Sequence, residues 1–364
     1  MKLSWPADPN PVKALSPTAL DVLRTCPLRM SFRRTTPSGG SRPTAQQALG
    51  ILCHDVLERM AREPLMRGPD WRSSFELAWS EAVAGMAQSL GHDAAWAASG
   101  PEGWPGYRIK LARLRKAAER LHGLLEEAGP DAELACEERM SALDGRLVGQ
   151  PDLVIRAAGA HWIVDYKSGR VTSQEGGPPR DSYVRQLQLY AVLEHEVSGA
   201  WPTQALLLPL AGPAVKVNVD PSACMDVAAQ MIEMQDTYNA TVPKPQPASP
   251  SAEACRWCPY ATRCEAFWDA CNTHWREELL AVRGVVESIA PTQLGGASLR
   301  VRVSGGSLAE ERIGLRSVSA AEHPALLRMV EGSELHAVGL RPEPSESIYR
   351  LPAWASLRCD GEAA

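Results

Sequence analysis

The chain has 364 residues, 45% of them hydrophobic and 22% charged, with a formal net charge of −5. The hydrophobic fraction excludes a disordered chain, and with no run of about 18 apolar residues a membrane-spanning protein is not expected. The acidic balance excludes a protein coated in positive charge, so any contact with nucleic acid must be local. The length suggests about two domains with cores large enough to need no disulfides. Met1-Lys2-Leu3-Ser4-Trp5-Pro6 lacks the basic and then apolar pattern of a secretion signal, which points to the cytoplasm. Nine cysteines, an odd number, argue against a disulfide framework.

Taken in chain order, Ser16-Pro17-Thr18 opens a helix that ends at Cys26-Pro27, with Ser16 as N-cap and Pro17 at the first helical position. Residues 33–43 read as a loop, 44–63 as a helix with Leu49, Leu52, Val56, Leu57 and Met60 on one side, and 70–99 and 108–128 as two more helices. The pattern then turns to strands. Leu134–Leu143 and Leu147–Ile155 are expected to pair across Asp144-Gly145, and His161–Tyr166 follows as a third strand. A Gly- and Pro-rich loop over 169–180 precedes a helix near 181–197, strands within 204–219 and a helix over 221–240. The proline-rich connector Pro243–Pro250 leads into Cys255-Arg256-Trp257-Cys258 and Cys264, and a helix is expected over 265–280. Five short strands follow: Val282–Ser288, Ser298–Val303, Glu311–Val318, Glu334–Leu340 and Ser347–Leu351, with a helix at 319–330 between the third and fourth. The reading is an α/β core followed by a small β-rich module, for which a barrel of the OB type fits the strand count.

The sharpest chemical signal is Gly149-Gln150-Pro151-Asp152, followed by Asp165-Tyr166-Lys167. Adjacent antiparallel strands lie about 4.8 Å apart, so these two aspartates can converge on one cation. Hard divalent ions such as Mg²⁺ take such oxygen ligands, polarise a phosphate and activate a water. Lys167 shares the strand face of Asp165 and can stabilise charge developing on phosphate. Gln186 and Tyr190 stand one turn apart on the next helix, placed to touch nucleic acid or to brace the acidic site. His54, within an apolar helix, reads either as a core histidine or as a nitrogen ligand. Three cysteines within ten residues read as metal or cluster ligation, and four thiolates can hold either Zn²⁺ or a 4Fe–4S cluster.

Together, His54, Gly149 to Asp152, Asp165-Tyr166-Lys167 and Gln186 to Tyr190 occur in the order that resembles the RecB-like branch of the PD-(D/E)xK nucleases. That branch includes the nuclease domains of RecB and AddB and the CRISPR-associated RecB-like exonucleases. The opening Leu15-Ser16-Pro17-Thr18 through Cys26-Pro27 is similar to the family's N-terminal segment, and Cys26, Cys255, Cys258 and Cys264 match the spacing of its iron–sulfur members. The resemblance spans about residues 14–270 and implies a restriction-endonuclease-like core with an N-terminal helical region. The expected domains are 1–280, a nuclease carrying a helical insertion at about 44–130 and the cysteine site, and 281–364, the β-rich module. The resemblance implies Mg²⁺ or Mn²⁺ held by His54, Asp152, Asp165 and the Tyr166 carbonyl. It makes Lys167 the catalytic lysine, gives Gln186 and Tyr190 supporting roles, and places a 4Fe–4S cluster on the four cysteines, with Zn²⁺ as the alternative. A further family acid falls on Glu137 or Glu138, between which the sequence does not choose.

Seven of the 38 basic residues are lysine, so Lys167 inside an acidic motif stands out. Basic residues cluster in 1–43 (Lys2, Lys13, Arg24, Arg29, Arg33, Arg34 and Arg42) and along 108–120, where they can follow a phosphate backbone. Tyr349 and Trp354 are the candidate stacking residues of the C-terminal module, which otherwise suits a protein partner. The leading expectation is a metal-dependent DNA nuclease acting on single strands or ends, in repair or phage defence. The competing one is a nucleic-acid-binding scaffold or helicase partner whose nuclease site is dormant. The sequence holds no helicase P-loop.

Overall fold

A computed structural model describes residues 10–35, 45–63, 68–90, 100–104, 106–172, 176–293 and 295–360. Lys2, Arg42, the end of the loop expected at 33–43 and the 91–99 end of the expected third helix lie outside the described residues. Helix α1 (Pro17–Thr25) begins as expected, with Ser16 Oγ accepting from the Ala19 N–H at 3.2 Å. The chain restarts at Pro27 as α2 (Pro27–Thr35), so the start of the expected loop is helical. Helices α3 (Ala45–Arg62), α4 (Trp71–Leu90) and α5 (Tyr107–Ala128) follow. Gly129 ends α5 at φ 90, its N–H reaching back to the carbonyls of Leu125 and Glu126.

Two expected strands are each divided. The stretch 134–143 becomes β1 (Glu133–Cys136) and β2 (Met140–Ala142), because Glu137 turns the chain at φ 48. The stretch 147–155 becomes β3 (Leu147–Gly149) and β4 (Leu153–Ala157), with Pro151, which has no N–H to give a ladder, in the gap. Next come β5 (Ala160–Lys167), α6 (Asp181–Ser198), β6 (Gln204–Pro209), β7 (Val215–Val217) and α7 (Pro221–Thr241). Beyond the proline-rich connector lie α8 (Ala252–Arg256) and α9 (Glu265–Ala270). The helix expected to reach 280 stops at Ala270, because the Asn272 side chain accepts from the His274 N–H and starts a separate 3-10 turn. The β-rich end contains β8 (Ala281–Pro291), β9 (Gly296–Gly306), β10 (Arg312–Ser319), β11 (Glu334–Val338), β12 (Arg341–Pro342), β13 (Ile348–Arg350) and β14 (Ser356–Asp360). These are seven strands where five were expected, and the helix expected at 319–330 is a short 3-10 turn, Pro324–Arg328, that opens on its proline.

The chain folds into two compact units. One contains 11–21 and 45–240; the other contains the described residues within 1–10, 22–44 and 241–364. The sequence-based boundary at 280 grouped the cysteines with the α/β core, whereas the compact units group them with the C-terminal strands.

In the first unit the sheet order is β1-β4-β5-β6-β7, with β5 and β6 parallel and every other pair antiparallel. The parallel step needs a crossover, which α6 supplies. Leu153, Ile155, Trp162, Val164, Tyr166, Leu206 and Leu208 pack with α3, α4 and α5 in one core. Helix α6 packs against β5, β6 and the β2–β3 hairpin. Since side chains alternate along a strand, Asp165 lies on the face opposite Val164 and Tyr166. In the second unit the order is β12-β13-β10-β9-β8-β11-β14 around a core that includes Val286, Leu299, Val301, Leu315 and Leu335. Among the described residues no helix is long and apolar enough to cross a membrane.

Candidate active site

The β4–β5 ladder pairs Leu153 with Val164, which brings Asp152, just before β4, beside Asp165. Asp152 Oδ2 accepts from the Tyr166 backbone N–H at 2.5 Å and stands 3.8 Å from His54 Nδ1 on α3. Gly149 permits this arrangement. A Cβ there would sit 2.5 Å from Leu193 Cδ1 and 3.1 Å from the Tyr190 ring, so a larger residue would force these α6 side chains to shift.

Asp165 is 1% exposed. Burial first, then repulsion from Asp152, pushes its carboxyl up to about 7, against the opposing pull of Lys167. Burial likewise pushes Asp152 up to about 6, against the Tyr166 hydrogen bond and the charge of Lys167. Desolvation holds His54 below its ordinary 6.5, with Asp165 opposing and Lys167 and Lys110 assisting, so its imidazole is neutral at pH 7 and free to act as a ligand. Its 3.8 Å approach to Asp152 is therefore a contact between a neutral ring and a carboxylate.

Lys167 Nζ forms an ion pair with the buried Asp165 Oδ2 at 2.5 Å. The same Nζ donates to Gln186 Oε1 at 2.9 Å, and Gln186 Nε2 donates to Tyr190 OH at 3.1 Å. The structure thus brings His54, Asp152, Asp165, Lys167, Gln186 and Tyr190 to one end of the sheet. Tyr166 contributes its amide there, while its side chain enters the core beneath His54, ring centroids 6.1 Å apart. Sequence reasoning missed Tyr183, whose ring lies 4.6 Å from Lys167 Nζ and which stands one turn before Gln186. It also missed Glu58, one turn after His54 on α3 and near Glu137, whose carboxyl is raised by burial and then by Glu58. The i+4 spacing from His54 was the available signal for Glu58.

Two carboxylates that repel each other, Asp165 buried and Asp152 half-buried, with a neutral imidazole beside them, form a donor set that suits a divalent cation. Among the described residues no three His, Cys, Asp or Glu side chains converge tightly enough to hold a bare ion as they stand. Any cation would compete with the Lys167 ammonium for Asp165 Oδ2.

The sequence profile of the PD-(D/E)XK nuclease superfamily matches residues 14–265. The chain belongs to that superfamily. Its members are metal-dependent nucleases that typically use Mg²⁺ or Mn²⁺, and the mixed α/β unit is consistent with their restriction-endonuclease-like core. A search of curated proteins finds no match.

The second unit holds the cysteine site. Cys26, Cys255, Cys258 and Cys264 line one partly open cavity with Arg29, Phe32 and Phe267. None of the four is in a disulfide. Burial pushes the Cys255 thiol up to about 12 and Cys264 to about 11, and raises Cys258. Thiols in such an apolar pocket become thiolates only against compensating positive charge, which a metal or cluster supplies.

Proposed function

We propose that this superfamily member is a RecB-like, cytoplasmic deoxyribonuclease that hydrolyses phosphodiester bonds of single-stranded DNA or DNA ends, using Mg²⁺ or Mn²⁺. The observation that carries the reading is the buried Asp165 beside Asp152, flanked by Lys167. Asp152, Asp165, His54 and the Tyr166 carbonyl would hold the cation, which when bound neutralises the scissile phosphate and activates the attacking water. Lys167 Nζ carries three N–H groups. Asp165 and Gln186 hold the ammonium in place, and its positive charge would stabilise the charge that grows on a non-bridging phosphate oxygen. Gln186 fixes the direction of that ammonium, and Tyr190 fixes Gln186. The Tyr183 ring covers another side of the ammonium and limits its swing.

The four cysteines would hold a 4Fe–4S cluster, for which the shared cavity and its thiol-lined, largely apolar wall are the support. Arg29 in the wall would offset the negative charge such a cluster carries. Its role is structural, pinning α2 to the segment around 255–264.

The test is an end-labelled single-stranded oligonucleotide incubated with the purified chain and Mn²⁺. Parent protein should give products that EDTA suppresses, and Asp165→Asn and Lys167→Ala should give none while melting cooperatively. Cleavage that survives both substitutions overturns the reading.

A further inference from the structure

The outer face of the C-terminal sheet carries a row of arginines set by strand register. Arg341 on β12 pairs with Arg350 on β13, and Arg350 pairs with Arg316 on β10. Paired residues in either ladder type point to the same side of a sheet, and all three are exposed. Arg312 on β10 pairs with Arg302 on β9, and Arg300 lies opposite Gly314, so both strands extend the row. Buried Ile313, Leu315, Leu299 and Val301 alternate with them and face the core. Glu287 partly neutralises Arg302 and Arg312, at 3.5 and 3.1 Å, and Glu343 stands 3.8 Å from Arg350. Among the described residues Arg300, Arg316 and Arg341 have no carboxylate partner within 4.0 Å.

One end of the row is aromatic. The Arg341 guanidinium lies 5.4 Å from the Trp354 ring, and Trp354 packs against Trp257 with centroids 4.8 Å apart. Trp257 is 60% exposed, an unusual position for a large ring in the absence of a ligand. The strand pairing gives this face further meaning. β13 pairs in parallel with β10, and β14 pairs antiparallel with β11, although both belong to one stretch of chain. Taken as a single interrupted strand, they close the circuit β8-β9-β10-β13/β14-β11-β8, the connectivity of an OB barrel. In such barrels the face of the second and third strands, here β9 and β10, is suited to oligonucleotides.

We infer that this arginine row and the Trp257–Trp354 pair form a binding surface for single-stranded nucleic acid, distinct in its residues from the cleavage site. The arginines follow the phosphates, and the exposed indole stacks on a base. The aromatic end favours nucleic acid over an acidic protein, which the charge alone would also attract. The surface uses none of the residues assigned to hydrolysis, so it can be tested with cleavage disabled.

The experiment measures anisotropy of labelled oligothymidylate and oligouridylate, each about 20 nucleotides long, with the full chain carrying Asp165→Asn, across a salt series. Replacing Arg316, Arg341 and Arg350 together with Ala should weaken binding and make the slope of log K against log salt shallower by about 2. The corresponding triple change to Lys should retain most of that slope. Trp257→Ala should weaken binding at least about fivefold with the slope unchanged, and Trp257→Phe should recover most of the loss. The more tightly bound oligonucleotide identifies the polymer. Thermal melts confirm that each variant folds. The proposal is overturned if the full chain binds neither oligonucleotide, if folded triple-Ala and Trp257→Ala variants bind like the parent, or if polyglutamate displaces the oligonucleotide as well as unlabelled DNA does.

Discussion

Replacing Asp165 with Asn removes a charge that the fold holds at a cost, so in the absence of metal the variant should be the more stable protein. Burial and repulsion from Asp152 raise the Asp165 carboxyl from its ordinary 3.8 to about 7. At about 1.4 kcal/mol per pH unit, keeping it ionised above pH 7 costs the native state about 4 kcal/mol. The native protein therefore binds its proton more tightly than the unfolded chain, and stability falls as pH rises from about 4 to about 7, then stays low. The amide of the variant carries no such charge. Melts in EDTA should show the variant and parent close together near pH 4 and the variant roughly 10 °C higher at pH 8. Mn²⁺ should raise the parent's melting temperature at pH 8 and narrow the gap, since it compensates the charge that the amide lacks. A variant less stable than the parent at pH 8, or a gain independent of pH, would refute the argument.

Four further outcomes follow from the geometry. Gln186→Ala frees the Lys167 ammonium without removing it, so cleavage should fall by one to two orders of magnitude, roughly, with little change in oligonucleotide affinity. Gly149→Ala drives a methyl into Leu193 and the Tyr190 ring; it should cost about 1–3 kcal/mol in a melt and lower cleavage as well. Glu194, fully buried, accepts from Arg156 at 2.7 and 2.8 Å and stands 2.7 Å from His161. Burial opposes its charge, but these hydrogen bonds outweigh it and hold the carboxyl below its ordinary 4.5, so its contribution is present above that pH and lost in more acid solution. Glu194→Ala should cost about 3–5 kcal/mol at pH 7 and leave the composition of the candidate site unchanged. Cys258→Ser should abolish bound iron and the broad absorbance at about 400 nm of the anaerobically purified protein, and lower its melting temperature.

Much of the candidate site was legible because it is built from short-range geometry. Asp152 and Asp165 meet because two consecutive strands pair, and the register of a hairpin follows from its turn. Lys167 shares a strand face with Asp165, and Gln186 and Tyr190 share a helix face, so period alone aligned them. His54 needed tertiary packing to choose between core and site, which the family resemblance supplied and sequence periodicity did not. The break at Glu137 escaped because a positive φ in a non-glycine residue leaves no mark in composition, whereas the break before Leu153 was marked by Pro151, which the strand expected over 147–155 ran through. Glu58 and Tyr183 reach the site from helix positions that look like ordinary solvated faces. In the second unit β13 lies within the strand expected at Ser347–Leu351, while β14 (Ser356–Asp360) was not expected and β12 spans only Arg341–Pro342, a length at which alternation carries no signal. The Trp257–Trp354 contact joins the cysteine loop to the segment after β13, and no local pattern predicts it.

The central claim, that Asp152 and Asp165 share one divalent ion, is tested most directly by titrating the EDTA-stripped chain with Mn²⁺ and counting bound ions by electron paramagnetic resonance. Binding should be saturable in the parent, abolished by Asp152→Asn or Asp165→Asn, and retained by Lys167→Ala. Undiminished Mn²⁺ binding in both aspartate variants would contradict it.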